Sequence, residues 1–191
     1  MSPQIWIITG SSSSLGSDFV KAALDRGDKV IATAPQNATF MQGGLNDIAN
    51  KAISVYGQIE VMMSNAGYTQ FGTIEETSHD DWFKQFNTHD FGASNTTRSF
   101  LPHLRSNKSG TIAFIGSMVA WDGVPTVGAY CASEAAIHYA VESSKEIAAV
   151  GIKSLLFEPG TFRTDLLSQQ NSKSAANKFE YYKALTESLN S

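Results

Sequence analysis

The sequence predicts a doubly wound α/β fold in which five parallel strands form one sheet and helices cover both of its faces. Short apolar runs alternate with longer stretches of helical periodicity along most of the chain, the order expected of a parallel sheet with crossover helices. The first apolar run, Ile5–Thr9, leads directly into Gly10 and a serine-rich turn. We expect the 191 residues to form one domain, with residues 168–191 as a helical C-terminal tail.

The composition limits the kinds of partner and the cellular location that we expect for this protein. A net charge of −4 without any Lys/Arg block argues against nucleic acid. No apolar run approaches the ~18 residues of a membrane span, and the chain starts without a basic, apolar leader. The single cysteine, Cys131, allows no internal disulfide and leaves too few thiols for a cysteine-based zinc site. We therefore expect a cytoplasmic protein with no membrane or nucleic-acid partner and no metal site.

The first βαβ unit covers residues 5–34. A helical pattern follows Gly16 and ends at Gly27, and residues 29–34 form the second apolar run. Glycines in the turn after the first strand let backbone amides at the helix N-terminus reach a pyrophosphate. Taken alone, such a Gly/Ser-rich turn is a weak indication of nucleotide binding.

The middle of the chain continues the alternation. After a loop at residues 35–44, helical spacing over residues 45–56 precedes a strand at residues 59–64, which ends in Asn65-Ala66-Gly67. Ser78 and Asp81 have the spacing of a capping box and predict the start of a helix that runs to about Arg105.

The C-terminal half contains the candidate catalytic residues. A strand at residues 110–117 ends in Ser117, and a long helix over residues 129–150 begins near Tyr130. A serine at a strand end and a tyrosine entering a helix form an acid–base arrangement, and Glu134 lies one turn beyond Tyr130 on the same helix face. Strand Ile152–Phe157 then leads into Pro159-Gly160, and a final amphipathic helix is predicted from the spacing of Phe179, Tyr182, Leu185 and Leu189.

These motifs, in this order, resemble the short-chain dehydrogenase/reductase (SDR) family, of the classical but shortened type, over residues 4–35 and 45–168. The resemblance implies a Rossmann-like sheet and an oxidoreductase that reduces a carbonyl or oxidises an alcohol of a small organic substrate. It implies a nucleotide cofactor, NADP or NAD with NADP slightly favoured. It also implies a homodimer formed through the helices near residues 79–105 and 129–150.

The resemblance assigns roles to individual residues. Tyr130 would be the acid–base residue, and Ser117 would orient the carbonyl oxygen. Glu134 stands where the family has lysine, and His89 stands where it has asparagine. The cofactor-binding positions would be Gly10, Ser12, Ser14, Leu15, Gly16, Asn65, Ala66, Gly67, Pro159, Gly160 and Thr164.

Four positions depart from the family pattern. Ser14 replaces the middle glycine, and Pro35 stands where the family encodes its choice of cofactor. His89 replaces asparagine, and Glu134 replaces lysine. A helix and strand after the second strand, and the last strand, are also missing. The family's lysine lowers the tyrosine pKa, whereas a like charge raises it. We therefore expect a degenerate site with weak cofactor binding and weakened or altered chemistry.

Three functions stay open at this stage. The first is an NADP(H)-linked carbonyl reductase or alcohol dehydrogenase with residual or retuned activity. The second is a catalytically inactive SDR-like interaction protein. The third is a redox-neutral lyase, isomerase or cyclase, in which Tyr130, His89 or Glu134 transfers protons without hydride.

Overall fold

The computed structural model describes residues 2–33, 42–160 and 171–188. In chain order its strands and α-helices are β1 (Ile5–Thr9), α1 (Ser14–Asp25), β2 (Lys29–Thr33), α2 (Gln42–Tyr56), β3 (Val61–Ser64), β4 (Thr69–Phe71), α3 (His79–Phe86), α4 (Gly92–Asn107), β5 (Gly110–Ile115), α5 (Gly128–Ser143), β6 (Ile152–Phe157), β7 (Ser172–Ser174) and α6 (Lys183–Ser188).

The main sheet confirms the predicted architecture. Its five strands are parallel and lie in the order β2-β1-β3-β5-β6. Every residue of the central strand β3 is buried, as expected of a parallel strand covered on both faces. One face carries a row formed by Ile7, Met62 and Ile112, and the opposite face carries the adjacent row of Ile8, Met63 and Ala113.

The strand order creates a crevice at one edge of the sheet. From β1 the chain moves outward to β2, and it then returns to the other side of β1 to form β3. This reversal is the topological switch point, where ligands of open α/β sheets bind outside the carboxyl ends of the strands. Gly10 follows β1 and Asn65 follows β3, so both border this crevice.

The predicted helix from Ser78 begins as expected but does not run unbroken to Arg105. Asp81 N donates to Ser78 Oγ at 3.2 Å, and the reciprocal bond of the capping box is present. A π-helical turn over Asn87–Phe91 then separates α3 from α4. Such wide turns often mark functional positions, and here the turn carries the buried His89.

The prediction of one helix over residues 129–150 is wrong in its second half. The α-helix ends at Ser143, and Ser144–Val150 form a 3₁₀ helix. Ser144 Oγ donates to Val141 O at 2.7 Å and lies within hydrogen-bond distance of Ser154 Oγ, at 2.9 Å. Serine side chains that bond nearby backbone in this way disfavour continuation of an α-helix.

The tail also differs from the single amphipathic helix that the spacing predicts. β7 pairs with β4 in a small parallel sheet, and a 3₁₀ helix at Glu180–Tyr182 precedes the short α6. Phe179 is extended, and its N–H donates to Glu76 Oε1 at 3.0 Å, so the helix cannot begin there. Leu189 lies outside the described residues.

Residues 2–33, 42–160 and 171–188 contain neither a candidate membrane span nor a cluster of metal ligands. No helix there combines the length and apolarity that crossing a bilayer requires. No group of three or more His, Cys, Asp or Glu side chains there is arranged to hold a metal ion.

Candidate active site

The turn after β1 is tight at Gly10 and Gly16, the two glycines that match the family motif. Gly10 has φ +62°, and a Cβ at this position would lie 2.7 Å from Ala66 Cα. A Cβ at Gly16 would lie 2.1 Å from Gly10 O. Between them, Ser14 adopts φ +52°, a left-handed conformation that costs a non-glycine residue about 1–2 kcal/mol. Ser14 thus adopts a glycine-like backbone conformation at the position of the family's middle glycine.

Asn65 holds this turn against the end of β3. Its Nδ2 donates to Thr9 O at 3.1 Å and to Gly10 O at 3.0 Å. In return, Thr9 Oγ1 accepts the N–H of Asn65 at 3.0 Å and that of Ala66 at 3.1 Å. These four bonds fix the ends of β1 and β3 relative to each other at the switch point.

The turn fits a dinucleotide phosphate. A Cβ at Gly16 would fill the narrowest part of the turn, and the first turn of α1 contains no acidic residue. Ser12 is exposed and Leu15 is half-buried. The free amides and dipole of a helix N-terminus favour a negative group at such a place.

The far end of the expected cofactor site is only partly described. Pro159 and Gly160 follow β6 after Glu158, and a Cβ on Gly160 would contact nothing within 4 Å. Thr164 and Pro35, which the sequence connects with the nicotinamide and with cofactor choice, lie outside the described residues.

Tyr130 lies in the first turn of α5 and is 7% exposed. Burial raises the pKa of its hydroxyl well above the usual range, and the charge of Glu134 raises it further. A hydrogen bond from Ser117, which follows β5, acts in the opposite direction and lowers this pKa. The serine and tyrosine of the predicted acid–base arrangement therefore meet in the fold.

His89 and Glu134 are in direct contact. His89 Nδ1 lies 2.7 Å from Glu134 Oε1, and the two residues are only 8% and 3% exposed. On the other side of the ring, Tyr68 N–H donates to His89 Nε2 at 2.9 Å. The same Nε2 lies 3.0 Å from Tyr68 O, and Nδ1, which faces the carboxyl group, is placed to donate to Glu134. Both ring nitrogens are thus engaged within the protein.

The orientation of the His89 ring is fixed by its neighbours. A Cβ at Gly67 would lie 3.0 Å from the ring, a tight contact that glycine avoids. The ring meets that of Tyr130 edge to face, with centroids 5.5 Å apart and planes at 88°. His89, Glu134 and Tyr130 therefore form one contiguous buried cluster.

One oxygen of Glu134 is left without a partner. Its Oε2 is buried and accepts no hydrogen bond from the described part of the chain. No Lys or Arg side chain in that part pairs with Glu134. The site thus has a carboxylate next to Tyr130 where the family pattern has an ammonium group.

Sequence reasoning missed two groups that support the site. Gln85 is fully buried, donates to Tyr68 O at 3.1 Å and accepts Gln70 N–H at 3.0 Å, which fixes the backbone that holds His89. Glu158 accepts from Trp121 Nε1 at 3.0 Å and lies 2.9 Å from His138 Nδ1, which ties the loop after Ser117 to the end of β6. No local pattern identifies either group, since their partners are distant in sequence.

Comparison with known proteins gives consistent matches. The sequence model of a family described as short chain dehydrogenase matches residues 39–175. An oxidoreductase of Botryotinia fuckeliana, BOA17, is 33% identical over 85% of this chain and 67% of its own length. The oxidoreductase claN of Passalora fulva is 35% identical over 85% of this chain and 84% of its own length.

Solved structures share the fold of this chain. A short-chain dehydrogenase from Streptomyces avermitilis is 30% identical and superposes with a TM-score of 0.87, covering 99% of this chain and 78% of its own. A Burkholderia phymatum SDR solved with NAD has a TM-score of 0.81 at 20% identity, with 98% of this chain and 78% of its own covered. A metagenomic SDR solved with NADP has a TM-score of 0.71 at 19% identity, with 84% and 82% covered.

Proposed function

The chain belongs to the short-chain dehydrogenase/reductase family, and from this premise we propose that it is a nicotinamide-dependent oxidoreductase acting on a carbonyl or alcohol group of a small organic substrate. The observation that carries the proposal is that Tyr130, in the first turn of α5, lies in a cluster against which Val119 packs, two residues beyond Ser117. A hydroxyl pair at the carboxyl ends of parallel strands is suited to binding and protonating a carbonyl oxygen.

The residues proposed to hold the cofactor are distributed over three strand ends. Those near the diphosphate are Gly10, Ser12, Ser14, Leu15 and Gly16; those near the nicotinamide are Asn65, Ala66, Gly67, Pro159, Gly160 and Thr164. The bound cofactor would supply or accept hydride. NADP is slightly preferred in this proposal, because Pro35 places no carboxylate where the 2′-phosphate of the adenosine ribose would lie.

Two hydroxyl groups of the chain would contact the carbonyl oxygen of the substrate. Ser117 binds the carbonyl oxygen, and Tyr130 donates its proton to that oxygen. Because the lysine position holds Glu134, we expect slower turnover than in a family member with lysine. The site is degenerate in this sense.

The engagement of both His89 ring nitrogens argues against His89 as the general base of a redox-neutral reaction. A lyase or isomerase that used His89 as its general base would need one ring nitrogen facing the substrate. Tyr68 N–H and Glu134 Oε1 occupy both nitrogens. Proton transfer to substrate is therefore assigned to Tyr130.

A homodimer through the α3–α4 and α5 region belongs to the same proposal. Phe83 and Phe91 are 57% and 47% exposed, and Tyr139 on α5 is 65% exposed. Large apolar side chains at helix surfaces are common in subunit interfaces. Sedimentation as a dimer at micromolar concentration is expected, and a monomer would contradict this part of the proposal.

Cofactor binding tests the proposed function. Titration with NADPH and NADH, followed by protein fluorescence, should give saturable binding with the first cofactor tighter. The variant Gly16→Ala should abolish it, because its Cβ would collide with Gly10 O. Gly44→Ala is the matched control, since its Cβ would contact nothing within 4 Å. No binding at millimolar cofactor would refute the oxidoreductase proposal and leave the inactive interaction protein.

A further inference from the structure

The C-terminal segment at residues 171–182 is bound mainly through its backbone. β7 pairs with β4, and Ala175 N–H donates to Phe71 O at 2.7 Å. Ala175 is 3% exposed, and it is the only buried residue among residues 171–185. A segment with few buried side chains opens at a lower free energy than the core of its protein. Residues 171–182, called the strap from here on, can therefore detach while the main sheet stays folded.

Gly72 is the residue at which the strap meets the rest of the fold. Its φ is +152°, and a Cβ at this position would lie 2.7 Å from Ala175 Cβ and 2.6 Å from Thr77 Oγ1. Ala175 thus occupies space that any side chain at Gly72 would need. Gly72 N–H also donates to Thr126 O at 2.7 Å, and Gly72 forms an isolated parallel bridge with Val127. One glycine therefore contacts both the strap and the segment that precedes α5.

The segment before α5 bends at a residue in an unfavourable conformation. Thr126 has φ +67° and is 9% exposed. A β-branched residue rarely adopts this left-handed region, and it persists there only where surrounding contacts impose it. The Gly72 N–H that donates to Thr126 O is one such contact. If Gly72 moves, Thr126 is therefore free to relax toward an ordinary backbone conformation.

The bend at Thr126 packs directly against the end of α5 that carries Tyr130. Val127, Tyr130 and Cys131 form one buried cluster. Cys131 N–H donates to Val127 O at 2.9 Å, and Val124 N–H donates to Cys131 Sγ at 3.4 Å. Relaxation of the bend would therefore shift the first turn of α5, where Tyr130 lies.

We propose that the strap is a conformational device: while bound, it holds the bend at Thr126 and keeps Tyr130 in place, and when it detaches, the Tyr130 end of the site opens. The contacts that connect the strap to the bend run from Ala175 to Gly72 and from Gly72 to Thr126. The strap acts on Tyr130 indirectly, through Gly72, whichever reaction the site performs.

The single cysteine of the chain reports the state of this device. Cys131 is 9% exposed and lies beside Tyr130, so its rate of labelling by N-ethylmaleimide, followed by mass spectrometry, measures the opening of this end of α5. Ala175→Lys should speed the labelling at least about tenfold, because a buried unpaired charge destabilises the bound strap. Ser174→Lys, with the same charge at the exposed neighbour, is the matched control and should stay within about twofold of wild type. Equal rates in the two folded variants would overturn the proposal.

A milder variant keeps the test decisive if the first one does not fold. Tyr181→Phe/Tyr182→Phe removes two hydroxyl groups that donate to Glu75 Oε2, each at 3.1 Å, on the surface. The strap should then detach more often, and Cys131 should be labelled at least about threefold faster. Tyr56→Phe, at the end of α2, is the control and should leave the rate unchanged. An unchanged rate in the folded double variant would overturn the proposal.

The urea dependence of labelling in the wild-type chain distinguishes detachment of the strap from unfolding of the whole chain. The dependence on urea scales with the surface that an opening exposes. Below the unfolding transition, the labelling rate should therefore vary only weakly with urea. A dependence as steep as that of global unfolding would overturn the proposal. All measurements use the full chain without cofactor, so failure of cofactor binding would remove the proposed oxidoreductase function and leave these results intact.

Discussion

His89 Nδ1 lies 2.7 Å from Glu134 Oε1 in the buried centre of the candidate site. By resemblance, the two residues correspond to the asparagine and the lysine of the family pattern, and the sequence alone treats them as two separate departures. Their contact means that the histidine provides the carboxylate with the hydrogen bond that a buried charge requires. A variant that exchanges only one of them therefore breaks a pair.

Loss of the His89 side of the pair should destabilise the fold. His89→Phe keeps a ring but removes the donor to Glu134, so we expect a loss of about 3 kcal/mol in the free energy of unfolding. Urea denaturation measures this loss. Lys145→Met is the matched control, because Lys145 pairs with Glu142 at 3.0 Å on the surface and should cost less than about 1 kcal/mol. Equal losses in the two variants would contradict the account.

Removal of the backbone strain at Ser14 should change both the stability of the fold and the affinity for the cofactor. Ser14→Gly is expected to stabilise the chain by up to about 1 kcal/mol and to tighten cofactor binding, because glycine adopts φ +52° without strain. Lys108→Gly is the control, since Lys108 has φ +50° at the end of α4. The Lys108→Gly variant should stabilise the fold by a similar amount and leave the cofactor affinity unchanged. Thermal melts and cofactor titration separate the two effects.

The amide of Asn65 should be required for the shape of the turn. Asn65→Asp replaces the donor to Thr9 O and Gly10 O with an acceptor oxygen. We expect a loss of about 1–3 kcal/mol in stability together with weaker cofactor binding. Asn107→Asp, at the exposed end of α4, should change stability by less than about 0.5 kcal/mol. Retained affinity in Asn65→Asp would count against the assigned role of the turn.

The attachment of residues 171–188 to the rest of the protein should depend on pH, because Glu76 binds this segment. The backbone N–H groups of Phe179 and Thr73 donate to its carboxylate and lower the pKa of Glu76. A lowered pKa in the folded state stabilises the fold above the unfolded value of about 4.3, and this stabilisation is lost as pH falls through the folded value.

The variant Glu76→Gln tests this dependence. Its stability deficit relative to wild type should be largest near neutral pH and should shrink below about pH 4. Limited proteolysis should also release residues 171–188 more readily. Glu180→Gln, in an exposed pair with Lys183, should show neither effect. A deficit that does not vary with pH would contradict the role of the carboxylate.

The main sheet was predictable because its signals are local. Each apolar run of about five residues and each helical period lies within one stretch of sequence, and the structure confirms the five parallel strands. The capping box at Ser78 is likewise encoded in four adjacent residues. The helix break at Ser144 depends on Ser154 from the next strand, so local periodicity does not reveal it.

The parts that the sequence did not predict depend on contacts between distant residues. β7 has three residues, too few to show a strand period, and it forms only because β4 offers an edge. Glu76 meets Phe179 across 103 positions. The pairing of His89 with Glu134 similarly depends on the π-helical turn, which no propensity indicates.

The most direct measurement compares four proteins: wild type, His89→Asn, Glu134→Lys and the double variant. NADPH-dependent reduction of 4-nitrobenzaldehyde is the readout. Glu134→Lys alone places an ammonium group against the Nδ1–H of His89, so neither single exchange should restore the family's charge arrangement. We predict that the double variant is at least about tenfold faster than either single variant, which corresponds to a difference of about 1.4 kcal/mol in activation free energy. Equal rates in Glu134→Lys and the double variant, or no reduction by the double variant, would contradict the account.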